Sequence, residues 1–125
     1  MNNVIVFLAV CTYYGSAHEG NIQANGEPFD PEGWTCATYT YPIGTYLEVH
    51  YEGREVLVEV TDRPDDKTDI DLSRRAFEKI AHTDLGRIEV IVKFDVSQQS
   101  EAWVKKYGGE EVYEFTDSAS LLTIF

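Results

Sequence analysis

Residues 45–61, TYLEVHYEGREVLVEVT, carry the reading that decides the fold. Leu47, Val49 and Tyr51 alternate with polar neighbours, and after Glu52-Gly53-Arg54 the alternation resumes with Val56, Val58 and Val60. A period of two places each apolar set on one face of an extended strand, and the glycine at the break supplies a turn. The stretch therefore reads as an antiparallel hairpin with one buried face and with His50 on the outward face.

Outward from the hairpin, residues 3–14 are β-branched and aromatic and read as a buried strand ending at Gly15, and residues 88–94 read as another. Ser73 is a good helix cap, and Ala76, Phe77, Ile80 and Ala81 recur at helical spacing, so residues 74–82 form a short amphipathic helix with His82 at its carbonyl end. Residues 16–31 are rich in Gly, Asn and Pro and form a long loop with a turn at Asn25-Gly26. Many short strands with one brief helix favour a small mainly-β barrel over a sandwich. Residues 1–96 make up this barrel domain. Residues 97–125 form a C-terminal extension, in which Ser100 caps a helix that sets Trp103 and Tyr107 one turn apart and stops at Gly108-Gly109. A short strand at 112–116 follows, and the apolar end Leu121-Leu122-Thr123-Ile124-Phe125 either docks on its own domain or meets a protein partner.

At 125 residues the chain is long enough for one domain, and its 43% hydrophobic content supports a core without metal or disulfide staples. Ten Lys plus Arg stand against 22 Asp plus Glu, a net charge of −12 that repels phosphate backbones and argues against nucleic acid as a partner. Cys11 and Cys36 are either one disulfide or two buried thiols. The three histidines are scattered and there is no CxxC pair, so the spacing offers no metal-ligand motif and no cofactor is expected. The apolar run within residues 1–10 lacks a preceding Lys or Arg and reads as a strand rather than a secretory signal, and no stretch is long enough to span a membrane.

Carboxylates sit beside turns in two places: Glu27 and Asp30 in the long loop, and Asp62 at the end of the hairpin's second strand. These are the positions from which a rigid barrel presents catalytic groups. Any one of them, in so acidic a chain, serves equally as a surface carboxylate.

An ordered series of segments resembles the rare lipoprotein A (RlpA-like) family over residues 12–92. Tyr13-Tyr14-Gly15 looks like the end of the family's first strand. Ala24-Asn25-Gly26-Glu27 resembles its Ala-(Ser/Asn)-Gly-Glu turn, with Phe29-Asp30 and Trp34-Thr35-Cys36-Ala37 in the same register. Pro42-Ile43-Gly44-Thr45 is similar to Pro-Phe-Gly-Thr, Val60-Thr61-Asp62-Arg63 to Val-Asn-Asp-Arg, and Ile70-Asp71-Leu72-Ser73 is identical to Ile-Asp-Leu-Ser.

The resemblance implies a six-stranded double-psi β-barrel and a lytic transglycosylase of peptidoglycan that cleaves between N-acetylmuramic acid and N-acetylglucosamine and forms anhydromuropeptides. It puts Asp62 and Glu27 in the catalytic cleft, with Tyr14, Asp30, Thr38 and Arg63 on the substrate. Asp71 and Ser73 read as the start of the helix. Thr38 stands where the family commonly has a histidine, and His18 either reaches the cleft or faces solvent. The expected partner is the glycan strand of peptidoglycan, met in the cell wall, the periplasm or outside the cell, or through a phage lysis enzyme or virion. The alternative is a silent barrel that binds glycan or a protein, for which Tyr13, Tyr14, Trp34, Tyr39 and Tyr41 offer rings that serve either sugar stacking or the core.

Overall fold

The computed structural model of the chain describes residues 4–65 and 68–108. Six strands close into a barrel: β1 (Val4–Tyr14), β2 (Thr35–Ala37), β3 (Tyr46–Tyr51), β4 (Arg54–Asp62), β5 (Ile70–Ser73) and β6 (Ile88–Asp95), in the order β1-β5-β2-β4-β3-β6. β1 runs parallel to β5 and β2 parallel to β4, while the remaining pairs are antiparallel. Interleaved parallel and antiparallel pairs in a closed ring are the double-psi barrel. Closure also removes every free sheet edge.

The hairpin forms as its alternation requires, with Leu47, Val49, Val56, Val58 and Val60 at most 1% exposed. Its loop is shorter than the sequence break suggests. Tyr51 pairs with Arg54, which leaves only Glu52 and Gly53 to turn the chain, both at positive φ (47° and 80°). Two consecutive residues at positive φ make the primed turn whose twist matches that of paired strands.

Among the described residues, two α-helices dress the barrel. Ser73 caps α1 (Arg74–Ile80) by accepting from the Ala76 amide, and Ala76, Phe77 and Ile80 are buried against the barrel, with Phe77 4.8 Å from Tyr13 between ring centres. Ser100 caps α2 (Glu101–Tyr107) in the same way through the Trp103 amide. Trp103 is 3% exposed, packs on Phe94 and donates from Nε1 to Thr45 Oγ1 (2.7 Å). Just before α2, the Gln99 side chain clips Tyr46 at both its N–H and its C=O. The described part of the extension is thus packed on the barrel. The strand expected at 112–116 and the apolar end at 121–125 lie outside the described residues.

Cys11 and Cys36 are both buried thiols in the core. Among the described residues no helix is long and apolar enough to cross a membrane. Residues expected in an N-terminal strand are in β1, eleven residues long.

Candidate active site

Strand register assembles the site. Ala37 of β2 is paired with Asp62 of β4 on one side and with Asp71 of β5 on the other, after a register shift between Cys36 and Ala37. Strands in a sheet lie about 4.8 Å apart, so the two aspartates stand roughly 10 Å apart at Cα, with only a methyl group between them. Both line one open groove of about 400 Å³, together with Tyr13, Tyr14, His18 and Arg63.

Each aspartate is held. Asp62 Oδ1 accepts from the amides of Ala24 (3.0 Å) and Arg63 (2.9 Å). Asp71 Oδ1 accepts from the Thr12 hydroxyl (2.9 Å), the residue opposite it on β1. Tyr14 lies close to both. Burial, and then the charges of Asp62 and Asp71, push its hydroxyl far above the ordinary tyrosine range, so it stays protonated as a hydrogen-bond donor. Its ring stacks on buried Phe29 at 4.2 Å, and His18 meets it edge-on at 5.9 Å.

The long loop is ordered by its own small hairpin. Gly20 and Asn21 exchange bonds with Phe29, and Gln23 pairs with Glu27 around Gly26, which has φ of 88°. The loop is pinned to β4 through the Asn25 amide on the Thr61 carbonyl (3.0 Å) and the Thr61 hydroxyl on Gln23 Oε1 (2.6 Å).

Of the residues singled out in the sequence, Asp62, Tyr14 and Arg63 line the groove, and Glu27, Asp30 and Thr38 do not. Glu27 is exposed on the loop's turn, where Gln23 pairs with it and its amide bonds Asn25 Oδ1, two residues from the Asn25 amide that holds the loop to β4. Asp30 is exposed and closes a turn by accepting from the Glu32 amide. Thr38 is 2% exposed, with its hydroxyl on the Asp69 carbonyl (2.8 Å) and its amide on the Asp62 carbonyl (3.1 Å). It positions the end of β4. Arg63 Nη1 donates to the carbonyls of Thr38 and Tyr41, fastening the same corner.

Three aspartates line the groove, Asp62, exposed Asp65 and Asp71, and the sequence alone reads Asp71 as the start of the helix. The cap is Ser73 alone, and Asp71 lies on β5 between buried Ile70 and Leu72, so the strand period turns it away from their face. That alternation is its sequence signal. His18 is both exposed and part of the groove wall. Tyr41 is core, while Trp34 and Tyr39 are exposed outside the groove.

A family model described as lytic transglycolase matches residues 9–92, more than half of the chain. The chain belongs to this family. As a lytic transglycolase family member it is 35% identical over 99 residues to the endolytic peptidoglycan transglycosylase RlpA of Pseudomonas aeruginosa (strain UCBPP-PA14), over 74% of this chain and 29% of that protein. The chain thus spans less than a third of that relative's length. Among solved structures it is similar to the Streptomyces papain inhibitor (TM-score 0.59, 33% identity, 73% of this chain and 94% of that one). It also shares its fold with an expansin of Clavibacter michiganensis in complex with cellohexaose (TM-score 0.58, 20% identity, 76% of this chain and 52% of that one).

Proposed function

We propose that this lytic transglycolase family member binds a peptidoglycan glycan strand in the groove and cleaves the MurNAc-GlcNAc bond. The observation that carries the reading is the pair Asp62 and Asp71, set on either side of Ala37 in one groove with ring faces beside them. Asp62 gives a proton to the glycosidic oxygen as its bond to the muramoyl C1 breaks. Asp71 faces the positive charge that develops at that carbon. The muramoyl C6 hydroxyl then closes on C1 and returns its proton to Asp62, leaving the 1,6-anhydro ring and an unchanged enzyme. The rings of Tyr13 and Tyr14 cover apolar sugar faces. No step consumes water, metal or cofactor.

Thr38 favours a second reading. At the position where RlpA-like chains commonly carry a histidine, this one has a buried hydroxyl bonded to backbone, so the groove receives no imidazole from that corner. A groove that holds glycan without cutting it is consistent with that loss. The names of the structural relatives include an inhibitor and an expansin, so the fold leaves the choice to the groove.

Incubation of the protein with purified sacculi, followed by mass spectrometry, separates the two readings. Anhydromuropeptides that fall by about 100-fold or more in Asp62→Asn support cleavage, since a positioned proton donor contributes on that scale. Sacculus binding without products supports the second reading.

A further inference from the structure

Folding brings together three side chains on the outer barrel wall that the sequence leaves apart. Glu48 and His50 are two residues apart on β3 and share a face, and His50 is paired directly with Glu55 across the two-residue turn. One ligating atom from each, the His50 imidazole nitrogen and two carboxylate oxygens, lie within 4.8 Å of one another. His50 Nε2 contacts Glu48 Oε1 and stands 3.9 Å from Glu55 Oε2. None of the three lines the groove.

We propose that Glu48, His50 and Glu55 form a binding site for a divalent first-row transition ion of the zinc type, independent of the saccharide groove. The donor set selects the ion class. One imidazole nitrogen with two carboxylates suits zinc and its neighbours, whereas calcium and magnesium favour oxygen donors alone. Metal-ligand bonds of about 2.0–2.2 Å require donors closer together than the widest spacing here. Glu55, with a side chain 60% exposed, has the freedom to close that gap.

Glu48 is already oriented. Gln98 Nε2 donates to Glu48 Oε2 (2.9 Å), orienting the carboxylate as outer partners of metal ligands do. One group opposes the ion. The Lys93 ammonium, on β6 opposite Glu48, sits 4.0 Å from Glu48 Oε1 and competes for the same charge. Its side chain is 40% exposed and can withdraw to water. A bound ion would leave coordination positions open to solvent and would tie β3 to β4 at the mouth of the hairpin.

Titration of the intact protein with zinc chloride by calorimetry, and with cobalt chloride by visible absorption, tests the site. Saturable binding at one ion per chain is expected, weakened about tenfold or more in His50→Gln and in Glu55→Gln, and tightened severalfold in Lys93→Met. Circular dichroism should show each variant folded, as all four side chains lie on the outer wall. Absence of saturable zinc binding overturns the proposal. So does binding that survives His50→Gln unchanged, which would mean that exposed His18 or His82 holds the ion adventitiously.

Discussion

At the scale of single residues, burial and hydrogen bonding decide what each group can do. Burial pushes both thiols up, and the charge of Asp71 adds to it at each, so neither is a nucleophile in the folded protein. Mass spectrometry after iodoacetamide treatment at pH 8 should show no modification of the native chain and two modifications after unfolding. Glu48 gives a pH dependence of opposite kind. Its carboxyl is held down by Gln98 and His50, so the folded state gains stability above the ordinary glutamate range and loses it as pH falls through the lowered folded value. In thermal melts, Glu48→Gln should melt below the parent at pH 7 and level with it in strong acid. The residue scale is also where the sequence is least legible. Asp62 is recognisable beside its turn, and Glu27 is no less recognisable, yet the first lines the groove and the second sits exposed on the loop's turn. Asp71 is hidden because strand end and helix cap share four residues, and because its neighbour Ala37 is fixed by register between segments far apart in sequence.

At the scale of elements, local chemistry is enough for four of the six barrel strands and for both helices. The alternation of residues 45–61, the caps Ser73 and Ser100, and the apolar spacing of α1 are properties of neighbours, and each element forms where those neighbours dictate. The exceptions are β2 and β5, three and four residues long and too short to show a period, and the turn. Taking Arg54 into the loop hides the pairing of His50 with Glu55, whereas a two-residue loop makes that pairing follow from counting back along both strands. Glu52 occupies a positive-φ position that L-residues resist at a cost of roughly 1–2 kcal/mol, least for asparagine. Glu52→Asn should therefore raise stability by about 0.5–1 kcal/mol in urea titrations. Gly53→Ala should lower it by about 1 kcal/mol.

At the scale of the whole molecule, barrel, groove and α2 form one packed unit. Trp103 joins α2 to the core through Phe94 and through Thr45, so Trp103→Ala should cost about 3–5 kcal/mol in denaturant unfolding, a figure typical of a large buried aromatic. A cost below 1 kcal/mol would mean that α2 only rests on the surface. The barrel's interleaved order brings β4 and β5 to either side of β2, which is how two aspartates from separate motifs meet over one alanine. The most direct test of that pairing is the yield of anhydromuropeptides from sacculi, measured side by side for the parent, Asp62→Asn, Asp71→Asn and Glu27→Gln. The groove predicts that both aspartate variants lose at least about 100-fold while Glu27→Gln stays within a few-fold of the parent. Full activity in Asp71→Asn together with loss in Glu27→Gln would contradict it.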